Sequence, residues 1–329
     1  MRLLRFSGRF MVTRRTWGRG LSIRTMLSFM AANRNLRADV CSHRSGTGSS
    51  AMSEPRIIAS TKGAQVALHD LGGDGPNLLL THANGFCGQM WQPAARELAS
   101  VAHCWALDFR GHGDSVSAPD EDYHWNGMAD DVLAAVDALE PLPRLAAGHS
   151  LGGASILKAE LVRPGTFDRA WLFEPVTIPG FFLPPEGVKA LGNMARLRKE
   201  IFESRQAAYD RYSGRPPFSL LDPEVLRAYV DHGFRLLPDG TATMKCPREV
   251  EATIFENPDK TAFERLGEVA TSVTVAVGTD ADPPALVAPF VAEQLANATL
   301  ERFDDLTHFG PLQQPSRIAA AIAAALFGD

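Results

Sequence analysis

Leu145-Ala-Ala-Gly-His-Ser-Leu-Gly-Gly-Ala-Ser-Ile-Leu-Lys158 joins a short apolar run to a run with helical spacing through a Gly-x-Ser-x-Gly pentapeptide, Gly148 to Gly152. The apolar run reads as a buried strand, and the stretch from Ala154 reads as the opening of a helix. A serine at that junction sits on a turn so sharp that its flanking positions must lack side chains, or helix and strand cannot approach. The pentapeptide alone would arise by chance in on the order of one or two chains in ten of this length, given average Gly and Ser usage. Its weight comes from the strand before it and the helix after it.

The same alternation recurs on both sides of this stretch. Arg56–Ala59 and Val66–Leu71 flank Lys62-Gly63 and predict an antiparallel hairpin. Asn77–Thr81, His103–Phe109, Arg144–Gly148, Arg169–Phe173, Ser272–Val277 and Thr299–Phe303 are short buried-type strands. Helical spacing lies between them at Gln89–Ala99, Trp125–Leu139, Leu151–Val162, Pro284–Leu295 and Ser316–Leu326. Strands alternating with helices predict an α/β domain over residues 54–329, with a mostly parallel central sheet covered on both faces. The alternation breaks between Val176 and about Leu266, where Pro, aromatic residues and helix formers replace strand runs. That stretch predicts an inserted helical lid of roughly 90 residues, set over the crevice where open α/β sheets bind ligands.

Three further motifs carry a resemblance. His82-Ala-Asn-Gly-Phe86 follows the strand ending at Thr81. Asp108-Phe-Arg-Gly-His-Gly-Asp-Ser115 follows the next strand, and Thr307-His-Phe-Gly-Pro-Leu312 with Pro315 follows the last one. Together with Gly148–Gly152, and in this order, they resemble the α/β-hydrolase fold family of serine esterase-like enzymes. The likeness covers essentially residues 54–329.

Nucleophilic attack on an acyl carbon needs a hydroxyl, a base to take its proton and a carboxylate to orient that base. Ser150 is the expected nucleophile. Among nine histidines, His308 is the one that follows the last strand and stands in the chain order Ser, then Asp or Glu, then His. His82 and His112 belong to loop-shaping motifs, and His149 would point away from the serine. For the acid, Gly278-Thr-Asp-Ala-Asp-Pro283 offers two aspartates where the resemblance places one. Asp282 is the first choice, with Asp280 and Glu174, at the end of strand Arg169–Phe173, as alternatives.

The resemblance also implies an oxyanion hole made by the Leu151 N–H and an amide of the His82–Phe86 loop. The family usually has Gly after the His, whereas this chain has Ala83-Asn84-Gly85; Asn84 is chosen as donor over Ala83. Trp91, Phe181 and Phe182, with Leu183, point to an apolar acyl or aromatic substrate. Serine rather than aspartate at the nucleophile position favours a hydrolase of esters or related acyl bonds. An acyltransferase, a perhydrolase-type haloperoxidase, a C–C bond hydrolase and a non-turnover binding or sensor protein are the alternatives.

Composition bounds the rest. The 329 residues are 45% hydrophobic and 22% charged, which excludes fibrous, low-complexity and disulfide-scaffold classes. Residues 1–53 hold ten Arg and one acid, a net of +9, while residues 54–329 hold 23 basic and 37 acidic residues, a net of −14. The basic segment is expected to be disordered: a transit peptide, or an extension upstream of a start at Met52. The acidic body argues against nucleic-acid binding. No apolar stretch is long enough to span a bilayer. Four scattered cysteines form no metal pattern, and neither a phosphate-cradling Gly loop nor a clustered His/Cys set implies a cofactor. The expected protein is a soluble monomer or homodimer of the cytoplasm, or of a mitochondrion or plastid if residues 1–53 are a transit peptide.

Overall fold

Side chains of a strand alternate between the faces of its sheet, and in this chain the alternation sorts one apolar core into two. The computed structural model describes residues 54–179, 185–279 and 283–328. Up to the insertion the elements run β1 (Arg56–Ala59), β2 (Gln65–Gly72), β3 (Asn77–Thr81), α1 (Gln92–Leu98), β4 (His103–Asp108), α2 (Trp125–Asp137), β5 (Leu145–His149), α3 (Leu151–Val162) and β6 (Arg169–Phe173). Leu79 turns to one face and packs with Leu107, Ala146 and Leu172 against Met128 and Val132 of α2 and Ile156 and Leu157 of α3. Its neighbours Leu78 and Leu80 turn to the other face and meet Ala94 and Leu98 of α1. Each fully buried leucine of this kind contributes about 1.5–3 kcal/mol. Both faces are therefore apolar along β3 and β5, as a doubly covered parallel sheet requires.

After the insertion come β10 (Ser272–Val277), α9 (Pro283–Gln294), β11 (Ala298–Arg302), α10 (Gly310–Gln313) and α11 (Pro315–Phe327). Helix α9 joins the first face through Val287 and Val291, and α11 joins the second through Ile318 and Ile322. The eight strands lie in the order β1-β2-β4-β3-β5-β6-β10-β11. β1 and β2 are antiparallel to each other, β2 is antiparallel to β4, and every other pairing is parallel. The loops that follow β3, β4, β5 and β11 carry the motif residues and Glu174 follows β6; these strands are mutually parallel in the order β4-β3-β5-β6-β10-β11, so the loops gather at one end of the sheet.

Residues between β6 and β10 contain α4 (Pro185–Arg196), β7 (Ile201–Phe202), α5 (Arg205–Ser213), α6 (Pro223–His232), β8 (Phe234–Leu236), β9 (Ala242–Met244), α7 (Arg248–Glu256) and α8 (Ala262–Arg265). The sequence predicts only helices here, and the structure corrects this: β7, β9 and β8 form a three-stranded antiparallel sheet. Strands of two or three residues leave no periodic run to read. Pro238-Asp239-Gly240 supplies the turn between β8 and β9, and the Leu237 N–H closes it on the Thr241 carbonyl at 2.8 Å.

This insert has its own apolar core. Phe202, Tyr212, Val225, Leu226, Tyr229 and Phe234 pack with Ala83, Phe86, Cys87 and Met90 from the loop after β3 and with Leu312 of α10. Among the described residues no helix is long and apolar enough to cross a membrane.

Candidate active site

Ser150 stands between β5 and α3 with φ 56° and ψ −114°, a backbone conformation that side chains rarely adopt. Strain of this kind persists only where neighbours over-determine it. The Ser150 N–H donates to the Phe173 carbonyl at 3.0 Å, and the Ser150 carbonyl accepts from Ala154 at 3.0 Å. Steric room decides the flanking residues. A Cβ at Gly148 would lie 2.7 Å from Thr81 Oγ1 and 2.8 Å from the Gly153 nitrogen, and one at Gly152 would lie 2.6 Å from the Thr81 carbonyl oxygen. Strand β3 presses on the serine turn, and only glycines admit it.

His308 lies in the loop between β11 and α10, with its Nε2 at 3.0 Å from Ser150 Oγ. Its Nδ1 donates to Glu174 Oε2 at 2.6 Å. Glu174 is fully buried, directly after β6, and a buried carboxylate needs partners for both oxygens. The Gly278 N–H donates to Oε1 at 2.8 Å, and the Glu174 N–H donates to the Ala276 carbonyl at 2.8 Å. Hydroxyl, imidazole and carboxylate thus form one hydrogen-bonded row across the ends of β5, β6 and the loop after β11. Among the described residues the carboxylate on His308 is Glu174, the third-ranked acid of the sequence analysis. Asp280 and Asp282, the two ranked above it, lie outside the described residues, as do Phe181, Phe182 and Leu183.

The His308 loop is tied from both sides. Thr307 donates from its N–H (2.9 Å) and its hydroxyl (2.8 Å) to Gln313 Oε1. His149 donates from Nε2 to the His308 carbonyl at 2.7 Å. Burial, reinforced by the neighbouring His308, holds the His149 imidazole well below its usual pKa, so it serves as a neutral donor. The sequence places His149 pointing away from the serine and gives no sign of this bond, because a contact 159 positions away leaves no local signal.

Leu151 is the first residue of α3, directly after Ser150, so its N–H has no partner within the helix. In the loop after β3, the Gly85 N–H donates to His112 Nε2 at 3.0 Å and the Phe86 N–H donates to the Ala83 carbonyl at 3.2 Å. Among the described residues this leaves the amides of His82, Ala83 and Asn84 without an internal acceptor. The Asn84 side chain is committed elsewhere, donating from Nδ2 to the Glu251 carbonyl at 3.0 Å. His82 Nδ1 donates to the Ala83 carbonyl at 2.8 Å while Nε2 accepts from Phe109 at 3.2 Å. Burial lowers the pKa of His82, and burial together with His82 lowers that of His112 to about 3, so both rings are neutral staples of the loop.

Trp91, expected beside the substrate, is 2% exposed and packs with Leu78, Leu80, Ala94 and Leu98. Its indole belongs to the core beneath α1, which corrects the expectation of a substrate-facing ring. Aromatic side chains do gather at the loop: Phe86 stands edge-on to Phe218 (5.9 Å), Tyr229 (5.4 Å) and Phe309 (6.1 Å).

Among the described residues one set could offer three ligands to a metal, His69, Asp108 and Asp114. Its chemistry does not fit an ion. Asp108 Oδ2 accepts from His69 Nε2 (2.7 Å) and the Asp114 N–H (2.8 Å), and Oδ1 accepts from Gly88 (2.6 Å). The Lys245 ammonium already pairs with Asp114. These carboxylates hold the loop after β4 instead.

The profile described as Alpha/beta hydrolase family matches residues 78–321, three quarters of the chain, and with this sheet and serine turn the chain belongs to that family. The non-heme chloroperoxidase of Streptomyces lividans is 31% identical over 220 residues, 62% of this chain and 74% of that protein. Protein phosphatase methylesterase 1 of Bos taurus is 39% identical over 88 residues, 25% of this chain and 23% of its own length. Of solved structures, E-2-(acetamidomethylene)succinate hydrolase superposes with a TM-score of 0.68 over 83% of this chain and 98% of its own, at 20% identity.

Proposed function

We propose that this protein is a serine hydrolase that cleaves an ester or related acyl bond through an acyl-enzyme. The observation that carries the reading is the row Ser150 Oγ, His308 Nε2 (3.0 Å), His308 Nδ1, Glu174 Oε2 (2.6 Å). In it, His308 Nε2 takes the Ser150 proton as Oγ attacks the carbonyl carbon, and Glu174 keeps Nδ1 protonated and stabilises the imidazolium that forms. The oxyanion of the tetrahedral intermediate accepts from the amides of Leu151 and Asn84. Preorganised donors of this kind contribute about 3–4 kcal/mol each. His308 then returns its proton to the leaving group, and water, deprotonated by the same nitrogen, releases the acid and restores Ser150.

Glu174 replaces Asp282 as the proposed acid. Phe86, Phe218 and Phe309 beside the loop support an apolar acyl or aromatic substrate, with the insert acting as its lid.

The test is hydrolysis of p-nitrophenyl esters of increasing acyl length, with Ser150→Ala as control. The expected result is turnover that Ser150→Ala abolishes, and labelling of Ser150 by a fluorophosphonate. Full activity in Ser150→Ala would sink the reading. The likeness to a chloroperoxidase favours a second reading for the same acyl-enzyme, in which hydrogen peroxide replaces water and the product is a peracid. Product analysis with acetate and peroxide separates the two.

A further inference from the structure

The amide expected to receive the oxyanion is aimed by a chain of rigid peptide planes that ends in the insert. Within one trans peptide the carbonyl oxygen and the following N–H point in opposite directions. The Asn84 N–H therefore takes its direction from the Ala83 carbonyl, which accepts from His82 Nδ1 (2.8 Å) and from the Phe86 N–H (3.2 Å). The Phe86 N–H in turn shares its plane with the Gly85 carbonyl. That carbonyl accepts from the Tyr229 hydroxyl at 3.2 Å.

Tyr229 is itself fixed. Its oxygen accepts from Arg198 Nη2 at 2.6 Å, and Arg198 pairs with the Glu251 carboxylate. Burial pushes the Tyr229 phenol above its usual range, which keeps the hydroxyl a donor. The Glu251 carbonyl closes the assembly by accepting the Asn84 side-chain amide. Gly85 has φ +80°, and a Cβ there would lie 2.6 Å from Glu251 Oε1 and 3.0 Å from Arg198 Nη1. The insert thus approaches this loop as closely as bare backbone allows.

We infer that Tyr229 is a positioning residue for the oxyanion: its hydroxyl holds the Gly85 carbonyl and, through the two peptide planes, the direction of the Asn84 N–H. This rests on the hydrolase reading above. A donor aimed in advance acts on the transition state more than on the bound substrate, so its loss appears in kcat and in the rate of Ser150 phosphonylation rather than in KM.

The experiment compares the full chain carrying Tyr229→Phe, which removes one oxygen, with wild type and with Tyr212→Phe. Tyr212 meets the same Arg198 guanidinium (3.5 Å) without touching the Gly85 carbonyl. Tyr229→Phe is expected to lower both kcat on a p-nitrophenyl ester and the fluorophosphonate labelling rate on the order of tenfold, with KM changed less than about twofold. Tyr212→Phe is expected to keep both rates within about twofold, and circular dichroism checks that each variant is folded. Equal rates in Tyr229→Phe and wild type, or an equal fall in Tyr212→Phe, overturn the inference and leave the hydrolase reading intact. A wild-type chain that neither hydrolyses esters nor labels at Ser150 overturns both.

Discussion

His149 Nε2 donates to the carbonyl oxygen of His308 at 2.7 Å, so the residue before the proposed nucleophile holds the backbone of the proposed base. Ser150 and His308 come from distant parts of the chain, and this bond fixes their separation independently of the bond between their side chains. His149→Phe keeps a buried ring but removes the donor. It is expected to lower kcat about 10- to 100-fold through misplacement of the base. Steady-state kinetics on a p-nitrophenyl ester reads the effect, and a kcat within twofold of wild type contradicts it.

The assignment of Glu174 is open to a direct contrast with Asp282. Glu174→Gln loses the charge that stabilises the imidazolium and is expected to reduce kcat on the order of 10²- to 10⁴-fold. Asp282→Asn is expected to stay within a few-fold of wild type. Measuring both under identical conditions settles the acid, and a reversed order of severity returns the role to Asp282.

Thr81 offers a test of why the serine turn needs its glycines. Gly148→Ala and Gly152→Ala are each expected to destabilise the fold by about 1–3 kcal/mol through overpacking. At Gly148 the nearest obstacle is the Thr81 side-chain oxygen, whereas at Gly152 the Thr81 backbone carbonyl also intrudes. Adding Thr81→Ala should therefore recover part of the Gly148→Ala loss and little of the Gly152→Ala loss. Urea unfolding of the double variants decides it, with equal recovery in both as the contrary result.

Acid stability follows from His112. The unfolded imidazole takes up a proton below about pH 6.5, whereas the folded one, lowered by burial and by His82, does so only near pH 3. The unfolded state binds the extra proton across that window, so stability is full above pH 6.5 and falls with decreasing pH by about 1.4 kcal/mol per unit from this group. His112→Asn is expected to flatten the acid limb of a pH series of denaturant midpoints. An unchanged slope would refute this account.

Most of the sheet was readable because β3, β5 and β6 are short apolar runs bounded by turn residues, and the serine turn because its steric demand writes glycines at fixed offsets. Ser150 and His308 were legible for the same reason: each sits in a motif beside a strand end. The proposed acid was harder. Glu174 follows its strand as directly as an acid can, but nothing local distinguishes it from any loop carboxylate. What singles it out is the approach of His308 and Gly278, contacts across more than a hundred positions. The same holds for His149. Trp91 shows the converse error, since an aromatic residue near a site motif reads as substrate-facing until its packing with Leu78 and Leu98 is seen.

Glu174 is also the last residue before the chain leaves the sheet for the insert, and the first steps outward still grip the serine turn: the Val176 N–H donates to the Ser150 carbonyl at 3.4 Å. That constrains how such a protein can be recombined. A graft that brings in a foreign insert with its own first residues would replace the carboxylate proposed to serve His308 and a brace of the proposed nucleophile along with the insert itself. One spliced after Val176 would keep both. Even then, the newcomer would take the Tyr229 hydroxyl away from the Gly85 carbonyl, so under the proposed reading selectivity and rate would be inherited together across this seam.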